Sequence, residues 1–427
     1  MTRTTPREIP IGRPTLGEEE AAAAREAILS GWVTQGPRVA AFEADFAAYV
    51  GAPHACAVSS CTAALHLALH ALGVGPGDEV VTVSHSFIAT ANAVRHCGAD
   101  PVFVDVDPLT FNMDPAGLEA AITPRTRAIL PVHQVGLPCD LTAILAVAGR
   151  RGLPVVEDAA CAIGSEAFVG GAWGRIGRPH GTVACFSFHP RKVITTGDGG
   201  MITTRDPDLD RRFRLLRQHG MGVPDTVRHA AREVVFEGYP VVGFNYRMTD
   251  IQAAIGRVQL GRLPGLLARR VDLAARYTRA IAAIPGLEPP HVPDYARPNY
   301  QSYAVRVTPD YPMGRDDLMR ALLDRGVGTR RGIMNAHQEG AYSGRSARLP
   351  RSVEARDRTI LLPLFPDMTD EDADRVLDLL GRAATASGGR GPATAARRAS
   401  PIDPVTAGAV TEIPRYGASP GHGPTTG

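Results

Sequence analysis

Between residues 54 and 205, short β-branched apolar runs alternate with stretches whose apolar residues recur at helical spacing. The strand-like runs are HACAVSS (54–60), EVVTVS (79–84), PVFVDVD (101–107), RAILPVH (127–133), LPVVED (153–158), VACFSF (183–188) and GMITT (200–204). Several are apolar on both faces, as strands are when helices cover both sides of a sheet. TAALHLALHAL after the first run, IATANAVRH after the second and LTAILAVAGRRG before the fifth read as helices. GPGD (75–78) and GLP (152–154) punctuate the connections. The alternation predicts an α/β fold with a mostly parallel central sheet of about seven strands.

A long helical stretch from Thr249 to about Ala283 follows, with an interruption expected at Pro264. From about 285 to 382 the pattern changes to a smaller α+β unit, with a strand at SYAVRV and helices at DDLMRALLDRG and DEDADRVLDLLGRA. These shifts predict a large domain over 1–260 and a small α+β domain over 261–383. The tail, 384–427, is rich in Gly, Ala, Pro, Ser and Arg, carries too little apolar content to pack, and reads as disordered.

Composition narrows the function. Basic and acidic residues nearly cancel, 46 against 44, so no broad attraction to nucleic acid or membrane follows. No apolar run reaches the roughly 18–20 residues of a membrane helix, and MTRTTPREIPIGRPTL lacks the apolar core of a signal peptide. The six cysteines form no C-x-x-C pair, and five sit in apolar or small-residue segments, which suits reduced buried thiols and a cytoplasmic location. His85, His133 and His189 are dispersed, so no metal site is expected.

Lys192 is the only lysine; every other Lys or Arg position is an arginine. Arginine supplies charge but cannot form an imine, so the surviving lysine marks a place where an amine nucleophile is needed. It lies in CFSFHPRKVITTGDGGM, where an apolar strand ends in a polar turn at the carboxyl edge of the sheet. The alternative is a solvated loop lysine. Upstream, LPVVED ends a buried strand in Glu157 and Asp158. A buried carboxylate there could hold a proton on the ring nitrogen of pyridoxal 5'-phosphate, or merely cap the next helix. In AVSSCTAALHLAL a helix starts at Ser60-Cys61-Thr62, an anion site suited to a phosphate. Cys61 is either a reactive thiol at a helix start or a small residue in a crowded turn. Phe87 could stack on a cofactor ring or belong to the core.

With these segments in order, the chain resembles the DegT/StrS family of sugar aminotransferases, fold-type-I pyridoxal-phosphate enzymes, over roughly residues 8 to 382. The matching segments include TQGPRVAAFEADFAAYVG, AVSSCTAALHLALHALGVGPGDEVV, VVEDAACAIG, FSFHPRKVITTGDGGM and GFNYRMTDIQAAIGRVQL. The resemblance implies that Lys192 bonds the cofactor as a Schiff base and Asp158 pairs with its ring nitrogen. It further implies that Ser187, Cys61 and Thr62, with Ser60 beside them, meet the phosphate, and that Phe87 stacks on the ring. Asn245 would reach the phosphate of the other subunit's cofactor, which requires a homodimer. The chain departs from the family in three places: Cys161 stands where glutamine is usual, Cys61 where glycine or alanine is usual, and Asp198 where glutamate is usual. Relatives that act as dehydratases carry histidine in place of the lysine, and Lys192 argues against that variant.

The expected reaction is transamination in two stages, with Lys192 as general acid and base. The amino group would pass from glutamate or glutamine to a keto-sugar, a nucleotide-linked deoxysugar. Thr34, Gln35, His133, Arg247, Arg330 and Arg331 are candidates for substrate contact, the arginines through their fork geometry. A keto-cyclitol aminotransferase or a lysine-bearing dehydratase would keep the cofactor and change the reaction. A non-catalytic cofactor-binding regulator would need a DNA-binding module, which the sequence lacks.

Overall fold

The seven apolar runs become the seven strands of one central sheet. The computed structural model describes residues 7–223, 231, 233–343 and 348–385. In chain order the strands before residue 205 are β1 (His54–Val58), β2 (Glu79–Val83), β3 (Asp100–Val104), β4 (Thr126–Leu130), β5 (Val156–Asp158), β6 (Glu166–Val169), β7 (Ala172–Arg175), β8 (Val183–Ser187) and β9 (Gly200–Thr204). Pairing gives β3-β2-β4 and β5-β8-β9-β1. Bridges at Ile129–Val155 and Val132–Asp158 join the two halves between β4 and β5. All neighbours run parallel except β9, which is antiparallel to both β8 and β1.

Helices cover both faces because successive strand residues point to opposite sides. On one face Ala55, Ala57, Val81, Ile129, Ala184 and Phe186 pack against α2 (Pro37–Val50), α6 (Leu141–Arg151) and α8 (Asp250–Ile281), numbering α1 (Glu18–Leu29), α3 (Cys61–Ala71), α4 (Ala89–His96), α5 (Pro115–Ala121) and α7 (Pro207–Leu216) in chain order. On the other, Cys56, Val58, Ala128, Leu130, Val156 and Cys185 pack against α3, α4 and α7. Phe46 of α2 is fully buried, with ring centroids 5.1 Å from Phe186 and 5.8 Å from Phe188. Phe46→Ala is expected to lose about 3–5 kcal/mol, read as a lower denaturant midpoint with an unchanged slope.

Two expectations need correction. The helix does not break at Pro264: α8 runs unbroken from Asp250 to Ile281. Pro264 removes one backbone donor, but Leu260 and Leu263 before it and Leu266, Leu273, Tyr277 and Ile281 after it are buried, and their packing outweighs a penalty of about 3 kcal/mol. The hairpin β6–β7 has no counterpart among the predicted runs. Its turn is Gly170-Gly171, with φ of +62° and +83°, a left-handed pair that glycine adopts without strain.

After α8 a second antiparallel sheet, ordered β10-β12-β14-β13, is built from β10 (Leu287–Glu288), β12 (Tyr303–Val307), β13 (Arg330–Arg331) and β14 (Thr359–Leu362); β11 (Ala296–Arg297) instead pairs with β6. The helices α9 (Arg315–Leu323), α10 (Pro350–Arg358) and α11 (Asp370–Thr385) accompany it. This part has its own apolar core, including Tyr277, Tyr303, Val305, Ile360, Val376 and Leu380. Contacts divide the chain after Ser387, and everything described lies before that division. The tail expected to be disordered falls outside the described residues from 386 onward. Among the described residues no helix is long and apolar enough to cross a membrane.

Candidate active site

The carboxyl ends of β5 and β8 lie side by side, pairing Asp158 with Cys185, and set the two chemical groups of the site. Asp158 is 5% exposed. Its Oδ2 accepts a hydrogen bond from Thr90 Oγ1 at 2.7 Å, and its Oδ1 accepts from the Ala160 amide at 3.1 Å. Thr90 has one hydroxyl proton, so Ser86 Oγ, 2.7 Å away, must donate to Thr90 in turn. The buried carboxylate is therefore held from α4 and from its own turn.

Past Ser187 the chain turns, the Lys192 amide donating to the His189 carbonyl at 2.8 Å. The half-buried Lys192 places Nζ 3.1 Å from Cys161 Sγ. Burial disfavours its ammonium form, but the contact with Cys161 and the charge of Asp158 favour that form more, and the amine is held above the usual lysine range. The lone lysine is thus not a solvated loop residue: it shares a recess with the buried carboxylate.

A third group borders this pair. Ser60 caps α3, its Oγ accepting from the Ala63 amide at 3.1 Å, and the Ala64 amide donates to the Ser60 carbonyl. Helix geometry then leaves the amides of Cys61 and Thr62 without an intrahelical acceptor, and together with the helix dipole they suit an anion. The turn packs directly on β9: a Cβ at Gly200 would lie 2.6 Å from the Ser60 carbonyl. Cys61 is 8% exposed, Sγ toward the Cys185 carbonyl at 3.5 Å, and burial pushes its thiol well above the ordinary value. It is an uncharged residue in a crowded turn, not a reactive thiolate. Ser187, 9% exposed, ends β8, its Oγ 3.4 Å from the His189 amide. A buried carboxylate, an amine and an anion-binding helix start, all at one sheet edge, fit the ring nitrogen, carbonyl and phosphate of pyridoxal phosphate.

The remaining candidates separate. Phe87 is 70% exposed, three residues before Thr90. Asn245 and Arg247 lie on a segment that follows β1, with Val58 bridged to Arg247 and the Ser59 amide donating to the Tyr246 carbonyl; Arg247 Nε donates to Asn245 Oδ1 at 3.3 Å. Thr34 is exposed, and its carbonyl accepts from the Asp250 amide at 3.0 Å. Gln35 is 8% exposed; its Nε2 reaches Gln218 Oε1 at 3.5 Å, while Gln35 Oε1 is buried without a partner among the described residues.

His133 is not a substrate contact. It is fully buried, Nε2 3.0 Å from Glu157 Oε2 and Nδ1 accepting from the Cys139 amide at 3.0 Å. Glu157 neighbours Asp158 in an extended strand and so faces the other side of the sheet. The two distal arginines divide in the same way. Arg330 lies close enough to Arg191 for the like charges to act with burial in lowering its pKa, whereas Arg331 points to the opposite face of β13. Sequence reasoning missed Thr90, Ser86 and the small-domain residues Asn299 and Gln301. For the first two, the spacing of four from Ser86 to Thr90 at the start of α4 was an available signal.

Two buried histidines predict acid sensitivity. Burial lowers both His66 and His85 to about 4; the charges of His96 and His70 lower His66 further, while the Asn335 bond to His85 opposes the shift. Their unfolded-state value is near 6.5, so between about 6.5 and 4 the unfolded chain binds more protons than the folded one. Stability is expected to fall as pH drops through that window, and thermal melts of His66→Gln should show a shallower decline than the parent. His66 Nδ1 is 2.9 Å from Tyr246 Oη, so its charge would develop beside the segment that carries Asn245.

The comparisons agree with this geometry. The model of the DegT/DnrJ/EryC1/StrS aminotransferase family matches residues 14–381. The spore coat polysaccharide biosynthesis protein SpsC of Bacillus subtilis is 41% identical over 379 residues, covering 87% of this chain and 95% of that protein. The crystal structure of the aminotransferase TlmJ from Streptoalloteichus hindustanus is 39% identical, with a TM-score of 0.81 over 88% of this chain and 99% of that one. Spr1654 from Streptococcus pneumoniae, 29% identical with a TM-score of 0.83 over 89% of this chain and 100% of that one in its pyridoxamine-phosphate form, has also been solved with pyridoxal phosphate. The chain belongs to the DegT/DnrJ/EryC1/StrS family and is an aminotransferase whose cofactor is pyridoxal phosphate.

Proposed function

We propose that Lys192 carries the cofactor and that the enzyme moves an amino group from glutamate or glutamine to a keto-sugar attached to a nucleotide. The observation that carries this reading is that the chain's only lysine lies within electrostatic reach of a Thr90-held, buried Asp158 on the strand next to β8. Pyridoxal phosphate, when bound, supplies an electron sink for the bond being broken at the donor's α-carbon. Asp158 Oδ keeps the ring nitrogen protonated. Lys192 Nζ, once released, takes the proton from the donor α-carbon and returns it on the cofactor side. The amides of Cys61 and Thr62 and the hydroxyls of Ser60, Thr62 and Ser187 hold the phosphate, and Phe87 covers the ring.

Arg330, beside Arg191, and Arg247 supply guanidinium forks for the donor carboxylate or the substrate phosphates, and Gln35 offers an unused acceptor to a sugar hydroxyl. The sugar class rests on kinship with a polysaccharide biosynthesis protein. The working unit is a homodimer in which Asn245 reaches the partner's phosphate. The apolar side chains of Val234, Phe236, Tyr239 and Val242, all more than half exposed just ahead of Asn245, support that contact. Six free cysteines support a reducing cytoplasm as its location.

The test is spectroscopic. Protein purified with pyridoxal phosphate is reduced with borohydride and the modified peptide mapped by mass spectrometry. A second, unreduced sample receives glutamate while its visible spectrum is followed. An adduct on Lys192 and conversion of the visible band to that of the pyridoxamine form are expected. An adduct without conversion points to another donor or to a dehydratase, and no adduct overturns the assignment of Lys192.

A further inference from the structure

We propose that the Asn299–Gln301 turn of the small domain is a positioning element for Lys192, fixing from outside the sheet the two backbone segments that hold its amine. This rests on Lys192 being the amine that takes the cofactor. Asn299 is 2% exposed and every polar atom of its side chain is engaged. Its Nδ2 donates to the carbonyls of Cys161 and Ile163, both at 2.8 Å, and its Oδ1 accepts from the Gln301 amide at 2.8 Å. Its own amide donates to Ser165 Oγ at 3.1 Å, and that hydroxyl donates to the Gly136 carbonyl at 2.7 Å. Cys161, gripped by its carbonyl, presents Sγ to Lys192 Nζ.

The second tie comes from the other end of the same turn. Gln301 Nε2 donates to the carbonyl of Arg191 at 2.6 Å, one residue before the lysine. One small-domain turn therefore reaches Nζ by two routes, through the thiol of Cys161 and through the peptide that carries the lysine.

The backbone here is strained in a way that only a fixed geometry would sustain. Tyr300, between the two tying residues, has φ of 50°, and Val135, whose carbonyl accepts from the Ser302 amide at 3.4 Å, also has φ of 50°. A left-handed conformation costs a side-chain-bearing residue about 1–2 kcal/mol, and more for β-branched valine. Gly136 is confined as well: a Cβ there would collide with Asn299 Oδ1 and come within 3.1 Å of the Cys161 carbonyl. A lysine that must leave the cofactor and return to it needs such an external hold, since misplacement by about 1 Å can lower a rate by about 10²-fold.

The test uses Gln301, which is half-buried at the rim. Gln301→Ala removes the tie, and Gln301→Met keeps its length while removing the donor without adding a charge. In pyridoxal-phosphate-loaded protein, both variants should move the pH midpoint of the visible absorption band by about 0.5 unit or more, because Nζ shifts relative to Cys161 and Asp158 once the Arg191 peptide is released. Both should also lower kcat about tenfold while KM for the amino donor stays within about twofold. Should the alanine variant fail to fold, the methionine variant reads the same quantities. A wild-type midpoint in a folded variant overturns the proposal whatever happens to kcat, since a purely structural or substrate-binding role would leave the optical titration unmoved. Failure of the wild-type protein to form a borohydride-stable adduct on Lys192 would instead overturn the assignment on which the proposal rests.

Discussion

Arginine in place of Lys192 is expected to leave a folded protein that transaminates about 10³-fold more slowly or worse. The substitution keeps the positive charge beside Cys161 and Asp158, so the electrostatics of the recess change little. It removes the amine that can bond the cofactor and that, once released, can move the donor's proton. Loss of a positioned general acid/base alone accounts for about 10²- to 10⁴-fold, and loss of covalent attachment adds to it. Single-turnover decay of the visible band on mixing with glutamate measures the effect, and borohydride should trap no adduct on the variant. A variant retaining a tenth or more of the parent rate would show that some other group moves the proton.

Asp158→Asn is the second large effect. The amide is isosteric and can still accept from Thr90 Oγ1, so the fold of the β5 edge should survive. Without a charge, the substituted side chain cannot hold a proton on a facing ring nitrogen. The expected fall in kcat is about 10²- to 10³-fold, the size associated with one preorganised charge-stabilising group. KM for the amino donor should change far less, because Asp158 acts on the reacting system and not on the donor's binding. Thr90→Val provides the graded control: it removes one hydrogen bond to the carboxylate and leaves the charge, so its loss should be smaller and its melting temperature lower. Equal losses in the two variants would argue that Asp158 matters for its placement and not for its charge.

Much of this site could be read before the structure, and the reasons are physical. Buried strands reveal themselves by apolar runs, so all seven strands of the central sheet coincide with predicted runs. Strand direction leaves no such mark, and the antiparallel course of β9 was invisible to periodicity. The β6–β7 hairpin was missed because EAFV and AWGR are half-exposed and short, although Gly170-Gly171 between them is a turn signal. Lys192 and Asp158 stood out because chemistry constrains their type and a strand end constrains their place. His133 misled for the converse reason: a strand-end histidine in the right stretch says nothing about which face it takes, and it faces Glu157 in the core. Asn299 and Gln301 left no trace, since their role depends on contacts across more than a hundred residues of chain.

The half-buried placement of Lys192 has a further consequence for the outside of the molecule. With that ε-amine folded against Cys161, the described surface draws its positive charge from guanidinium groups and histidines alone. Acylating reagents, aldehyde crosslinkers and enzymes that acetylate or conjugate lysine would find no ε-amine on the exterior, only the one inside the recess and the α-amine of the chain. Any such modification of a lysine in this sequence therefore falls on Lys192, and on the proposed assignment of that residue the bound cofactor would be its natural protection.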